Sequence, residues 1–388
     1  MLNALTKKEI PFGRPWLDEN DKRSILEVLN GHVLTHGPKC AEFENKFMQF
    51  MRGGYAVTTS SCMAALHLAS LYFNFQSGDE VIVPAQTHVA TVHAIELVGA
   101  TPIFLDCDIN TGNIDISKIE EKISNKTKAI SLVHFAGIPV AMDKVCEIAK
   151  KHHLVVIEDC ALALGSFYKE KHVGLWGDVG CFSFYPAKHI TTAEGGMLVS
   201  QDENRVRQIA SFRAFNVDRT YSSRNVPGVY DVIGVGLNYR MSELQAALGC
   251  TQMDKLFDNL QRRSVNFSAL KSRLSAIEGV GHVLDSQYAE CRNSHYCLVA
   301  VLDPGIGSRR NEILQQLKVN NVGCSVYYPQ PVPRMKYYAE KYQYSLLEYP
   351  NATIISDCSI ALPVGPHLQE EDMAIIGDSL ESAIQTLS

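Results

Sequence analysis

The chain has 388 residues, 46% of them hydrophobic and 20% charged, enough apolar material for two domains of ordinary size or for one large and one small. A net charge of −6 and a pI near 6.1 argue against nucleic acid or an anionic membrane as the main partner. The amino-terminal stretch MLNALTKKEIPFGRP has no apolar signal core, and no apolar run approaches the roughly 20 residues of a membrane span.

From about residue 55 to 200, short apolar runs alternate with helix-like stretches. Strands are expected at 80–85, 101–108, 128–135, 154–159, 179–185 and 197–200, and helices at 62–75, 88–98, 117–124, 141–152 and 203–213. Several strand runs are continuously apolar, as strands of a parallel sheet covered on both faces are. A long helix opens at Ser242, where Ser242 and Gln245 form a capping box, and extends towards Leu274. Beyond it, a strand at 295–302, a helix at 308–320 and a strand at 323–328 read as a smaller α+β unit. The pattern predicts an α/β protein with a mostly parallel sheet, a large domain at 1–250 and a small C-terminal α+β domain at 251–388. The polar, turn-rich loop 218–231 is a candidate active-site flap. The 11 cysteines include no Cys-x-x-Cys pair, and Cys107, Cys160, Cys181 and Cys297 fall in apolar runs. A reduced, cytoplasmic protein without a metal site is expected.

Three features fall where the strands of such a sheet end, which is where its ligands bind. The segment FSFYPAKHITTAEGGMLVS places Lys188 between an apolar run and the Gly195-Gly196 pair, expected to form a tight turn into the next strand. A lysine between buried strands loses water, so its pKa falls and a neutral amine becomes available to condense with a carbonyl. A solvated loop lysine is the alternative. Asp159 closes the run LVVIED. A carboxylate at a buried strand end calls for a cation, and a protonated pyridine nitrogen is one; a helix cap is the other reading. The segment TTSSCMAA, 58–65, leads into a helix whose amino end suits either a phosphate or ordinary capping. A lysine, an acid and a phosphate cradle are the three requirements of pyridoxal phosphate (PLP).

Set beside these residues, the chain resembles the DegT/DnrJ/StrS family of PLP-dependent sugar aminotransferases, which have the aspartate-aminotransferase fold. The resemblance runs through IPFGRPWLDENDKRSILEVLNGHVLTHGPKCAEFE, GDEVIVPAQTHVATVHAI, VVIEDCALALGS, FSFYPAKHITTAEGGM, GLNYRMSELQAALG and SIALPVGPHL. It implies a seven-stranded type of sheet, a homodimer with shared active sites, and PLP carried on Lys188. Lys188 would then move protons between the substrate carbon and the cofactor. Asp159 would pair with the ring nitrogen, and His88 stands where the family stacks an aromatic side chain. Ser183, Ser61 and the backbone N–H groups of Cys62 and Met63 would hold the phosphate, and Asn238 would reach the phosphate of the neighbouring subunit. Without the resemblance, His88 reads as a core histidine and Asn238 as a loop cap.

The chain departs from the family pattern at Cys62-Met63, where many members have Gly-Thr, and at Leu162, where many carry Gln or His beside the ring hydroxyl. A dehydratase branch replaces the lysine by histidine; here Lys188 is present, which favours transamination, and the adjacent His189 is expected to face away into the structure, with assistance in proton transfer as the other reading. The resemblance implies transfer of an amino group from glutamate to a nucleotide-linked 4-keto-6-deoxy sugar, as in surface-polysaccharide (O-antigen or capsule) synthesis. The form TTAEGG resembles members that aminate carbon 4. Arg213, Arg219, Arg224 and Arg240 are candidates for a diphosphate, and Tyr327 and Tyr328 for the sugar pocket, with surface exposure and packing as the respective alternatives. A PLP enzyme acting on a cyclitol or small keto phosphate, a dehydratase-like member and a regulator without turnover remain as other readings.

Overall fold

Successive side chains of a strand point to opposite faces, so a continuously apolar strand has to be covered twice. The computed structural model, which describes residues 8–218, 226, 228–286 and 288–387, shows how this chain does so. Strands β1 (Tyr55–Thr59), β2 (Glu80–Pro84), β3 (Thr101–Leu105), β4 (Thr127–Val133), β5 (Val155–Asp159), β6 (Val179–Ser183) and β7 (Gly196–Ser200) form one sheet. Their order is β1-β7-β6-β5-β4-β2-β3. Only β7 runs against its neighbours, β1 and β6; the other pairs are parallel.

The helices used below are α1 (Glu19–Leu29), α2 (Pro38–Met51), α3 (Cys62–Tyr72), α4 (Val89–Glu96), α5 (Met142–His152), α6 (Glu203–Phe212), α7 (Glu243–Asp254), α8 (Leu256–Leu274), α9 (Arg310–Val319) and α10 (Glu370–Leu387). Val81, Val83, Ala129 and Val133 join the layer of Ala65, Leu68, Val92 and Ile95 from α3 and α4. Ile82, Ile130 and Leu132 face the other way, towards Met142, Val145 and Ala149 of α5. At the β6–β7 side, Phe43 and Phe47 of α2 meet Phe184 and Phe182, both pairs with centroids 5.0 Å apart. A second, antiparallel sheet of β8 (Val280–Val283), β9 (Leu298–Leu302) and β10 (Ser359–Leu362) has its own core. There Phe267, Leu270 and Leu274 of α8 pack with Leu298, Ile360 and, from α10, Met373, Ile376 and Leu380.

Several expectations change. β1 was not among the expected strands, because its sequence, YAVTT, is short and half polar. Residues 323–328 do not form a strand: a single bridge joins Ser325 to Ala361, and the chain then turns so that Tyr327 O accepts from Gln86 Nε2 at 2.9 Å. The 117–124 stretch is two 3₁₀ turns, Ile116–Lys118 and Glu120–Lys122. The helix from Ser242 begins with the expected capping box but breaks at Lys255, whose Nζ donates to Trp16 O, Asp18 and Asp21. All 11 cysteines are free, and Cys107, Cys160, Cys181 and Cys297 are buried. Among the described residues, no helix is long and apolar enough to cross a membrane.

The two glycines after the lysine segment serve close approach rather than a left-handed turn. A Cβ at Gly195 would sit 2.1 Å from Thr192 Oγ1, and one at Gly196 would sit 2.4 Å from the carbonyl carbon of Ser61. Gly196→Ala therefore forces β7 away from the turn that starts α3, an overpacking cost of about 1–3 kcal/mol. A lower Tm on thermal melting is the expected outcome, and a Tm within about 1 °C of the parent would refute this account.

Candidate active site

The carboxyl ends of β4, β5 and β6 and the amino ends of α3 and α4 open onto one cavity of about 440 Å³. It brings together Ser61, Cys62, Met63, His88, Asp159, Ser183, Lys188, Tyr327 and Tyr328, as well as Leu162.

Asp159, the last residue of β5, is only 3% exposed. Its Oδ2 accepts from Thr91 Oγ1 at 2.7 Å, its Oδ1 from Ala161 N at 3.0 Å, and the Cys62 thiol lies 3.9 Å from Oδ1. Among the described residues no lysine, arginine or histidine forms an ion pair with it. No α-helix begins at Asp159, where the chain turns towards Phe167–Tyr168, so the helix-cap reading falls away. A buried carboxylate with neutral donors and no cation is a place where a cation binds favourably.

Adjacent Glu158 shows the contrast. It points to the other face and is fully engaged, accepting from Gly174 N, Trp176 N, Gly177 N and His134 Nε2 at 2.6–2.9 Å. With Cys160, His134 and Glu158 form a compact buried group, but His134 Nδ1 accepts from Val140 N, so Nε2 carries the hydrogen given to Glu158. No lone pair is left on that imidazole for a metal.

Lys188 stands on the segment between β6 and β7, its backbone N–H bonded to Tyr185 O at 2.9 Å. Its Nζ lies 5.1 Å from the Tyr296 ring centroid. Burial lowers the Lys188 pKa, with Cys62, Asp159 and Cys297 pulling the other way. The amine therefore gives up its proton more readily than a solvated lysine, which is the property a nucleophilic amine needs.

Ser61 caps α3, its side chain accepting from Ala64 N at 3.1 Å, which leaves the first N–H groups, those of Cys62 and Met63, without intrahelical acceptors at the cavity wall. Capping and anion binding are thus compatible here. Ser183 lies beside them, its Oγ accepting only a long 3.4 Å contact from Tyr185 N. His88 caps α4 through Nδ1, which accepts from Ala90 N at 3.1 Å, and its ring meets Tyr328 edge-on at 5.4 Å. It faces the cavity rather than the core, and the partial desolvation of the ring there lowers its pKa. Burial likewise pushes up the Cys62 thiol and the Tyr328 phenol, so both stay neutral. Tyr327 donates to or accepts from Tyr296 Oη at 2.7 Å, and burial raises its phenol too.

Other residues lie elsewhere. Asn238 is exposed and Arg240 stacks over the Phe215 ring at 4.8 Å; neither lines the cavity of this chain. Arg213 is committed to Thr58, its Nη1 donating to Thr58 O at 2.6 Å, which removes it as a free diphosphate ligand. Arg219 and Arg224, with most of the expected flap, lie outside the described residues. His189 faces away, bonded to Ser294 O at 3.1 Å. Sequence reasoning missed Thr91, Tyr185, Glu194 and Tyr296. Thr91 sits inside GDEVIVPAQTHVATVHAI, three residues after His88, the one signal that could have flagged it.

Residues 15–381 match the model of the DegT/DnrJ/EryC1/StrS aminotransferase family. The chain is 37% identical over 379 residues to a GDP-perosamine synthase of Escherichia coli O157:H7, covering 96% of this chain and 98% of that one. Among solved structures it resembles PseC of Helicobacter pylori, an aminotransferase involved in the biosynthesis of pseudoaminic acid, with 28% identity and a TM-score of 0.88 over 98% of this chain and 100% of that one. It also resembles a putative sugar aminotransferase of Streptococcus pneumoniae in its PLP form, with 26% identity and a TM-score of 0.91 over 98% of this chain and 100% of that one. With a desolvated lysine and an unpaired buried carboxylate facing the same cavity, the chain belongs to the DegT/DnrJ/EryC1/StrS aminotransferase family and is a PLP-dependent aminotransferase.

Proposed function

We propose that this enzyme moves the amino group of glutamate to carbon 4 of a nucleotide-linked 4-keto-6-deoxy sugar, in surface-polysaccharide or related amino-sugar synthesis. The observation that carries the reading is Lys188 and the cation-free Asp159 on one cavity, beside the open amino end of α3. The nucleotide sugar is supported by the 37% identity to a GDP-perosamine synthase, and carbon 4 by the form of the TTAEGG segment.

The residues present fit the cofactor. Asp159 meets the need of a protonated ring nitrogen for a negative partner. The Cys62 and Met63 N–H groups with the Ser61 and Ser183 hydroxyls suit a phosphate at a helix amino end. His88 offers a ring for the cofactor's face, and Leu162, apolar and buried, offers its hydroxyl no hydrogen bond. When bound, PLP supplies an aldehyde carbon to receive nitrogen and a ring that draws in the electrons of a broken C–H bond. Lys188 Nζ, neutral in part because it is buried, takes the proton from the amino-bearing carbon of glutamate and later returns a proton to the sugar carbon. Tyr327 and Tyr328 form the wall for the sugar, while Arg240 and Arg219 are kept for the diphosphate.

Asn238 serves the site of a second copy. Its exposure supports this, and so do its neighbours Val232, Ile233 and Val235, which are 61%, 66% and 90% exposed, an apolar stretch that a partner subunit would cover.

Absorbance of the holoenzyme should change on adding glutamate alone, and mass spectrometry should then find a 4-amino product from one of a panel of GDP-, UDP- and dTDP-linked 4-keto-6-deoxy sugars. Amination of only a cyclitol or small keto phosphate would sink the substrate class. Lys188→Ala should keep the fold and lose at least about 10²–10⁴-fold in turnover; turnover near wild type would remove the role of Lys188. The rate at which apo-enzyme captures PLP should climb as pH rises, with a midpoint below the 10.5 of an ordinary lysine, because the neutral amine reacts. A midpoint at or above that value would contradict the burial effect. Mixing Lys188→Ala with Asn238→Ala protein should restore one site of wild-type PLP affinity per hybrid dimer. Its absence would refute shared sites.

A further inference from the structure

Asp159 is held from the first turn of α4. Thr91 Oγ1 donates to Asp159 Oδ2 at 2.7 Å, and the Thr87 and Thr91 hydroxyls lie 2.8 Å apart. Both threonines are 1% exposed, so water does not compete for these groups. A hydroxyl has one hydrogen, and a carboxylate only accepts. Thr91 spends its hydrogen on Asp159, so Thr87 has to donate to Thr91. The donation therefore runs in one direction, Thr87 to Thr91 to Asp159. Hydrogen bonds in such a row polarise one another, and each counts for more in a buried site than in water. Ala161 N fixes the other carboxylate oxygen at 3.0 Å. His88, which faces the cavity, sits between the two threonines on the same turn.

We propose that Thr91, backed by Thr87, is a positioning residue for the cofactor: it holds the Asp159 carboxylate in the one orientation that meets the ring nitrogen. The inference rests on the assignment of that nitrogen to Asp159. Packing alone does not account for the threonine, since valine fills the same volume. What valine lacks is the donor, and a buried charge that loses a donor loses more than a neutral group does.

The test is a double-mutant cycle read as the PLP dissociation constant, by equilibrium dialysis of the holoenzyme. Thr91→Val should weaken PLP binding about tenfold in the Asp159 protein, but less than about twofold in an Asp159→Asn background, because the hydroxyl then has no carboxylate to hold. Thr91→Ser, which keeps the hydroxyl, should stay within about threefold of wild type, and Thr87→Val should lose less than Thr91→Val. A merely structural threonine would give the same loss in both backgrounds, which overturns the proposal, as does wild-type affinity in Thr91→Val. If Thr91→Val fails to fold, Thr91→Ala against Thr91→Ser decides by the same ratios in the two backgrounds. Impaired Asp159→Asn with unimpaired Thr91→Val removes only this inference. Wild-type PLP affinity in Asp159→Asn removes the assignment of Asp159 and the inference with it.

Discussion

A carboxylate buried at the end of the central strand, with donors around it but no cation, is the constraint on which the rest of the site depends. Asp159 is 3% exposed, and its position is set by β5, which lies between β4 and β6 in the parallel part of the sheet. Uncompensated, such a charge would destabilise the fold. The Thr91 hydroxyl and the Ala161 N–H offset part of that cost. What remains is a preference for a cation, and the same burial that makes Asp159 need positive charge makes Lys188 shed it.

The pair Glu158 and Asp159 shows how one strand serves two purposes. Neighbours on a strand face opposite ways. Glu158 turns to the side where Gly174, Trp176, Gly177 and His134 satisfy both of its oxygens, so it ties the chain around residues 174–177 to the sheet. Asp159 turns to the side where α3 and α4 begin, and helix amino ends leave N–H groups free. On the proposed reading, a structural and a functional carboxylate are one residue apart, told apart by how completely their oxygens are used.

The walls of the cavity come from distant parts of the chain. Tyr296 and Tyr327 share a hydroxyl contact of 2.7 Å, and Gln86, next to the turn that carries His88, holds the Tyr327 carbonyl. This links the first turn of α4 to the carboxyl-terminal third of the molecule. Arg213, which pins β1 through Thr58, shows the reverse case: a cation near the site that is spent on structure. On the proposed reading, the charge that meets the diphosphate comes from elsewhere, and the exposed Asn238 belongs to the site of a second copy.

Much was legible in the residues themselves. The alternation of continuously apolar runs with helical stretches determined the parallel sheet, because covering a strand on both faces leaves a local mark. The capping box at Ser242 and the glycines before Met197 were local as well, although the glycines answer to Ser61 and Thr192 rather than to a turn. Lys188, Asp159 and the start of α3 stood out because each sits where a strand or helix pattern changes. Tertiary structure alone decided what fills the space between them. Thr91 reaches a carboxylate 68 positions away, Tyr327 stands 31 residues after its partner Tyr296, and Lys255, where one helix ends and the next begins, meets Asp18 and Asp21 near the amino end. Periodicity reports which face of an element is covered, a short-range property. Which polar group meets which across the core depends on how the elements pack, and no local pattern carries that.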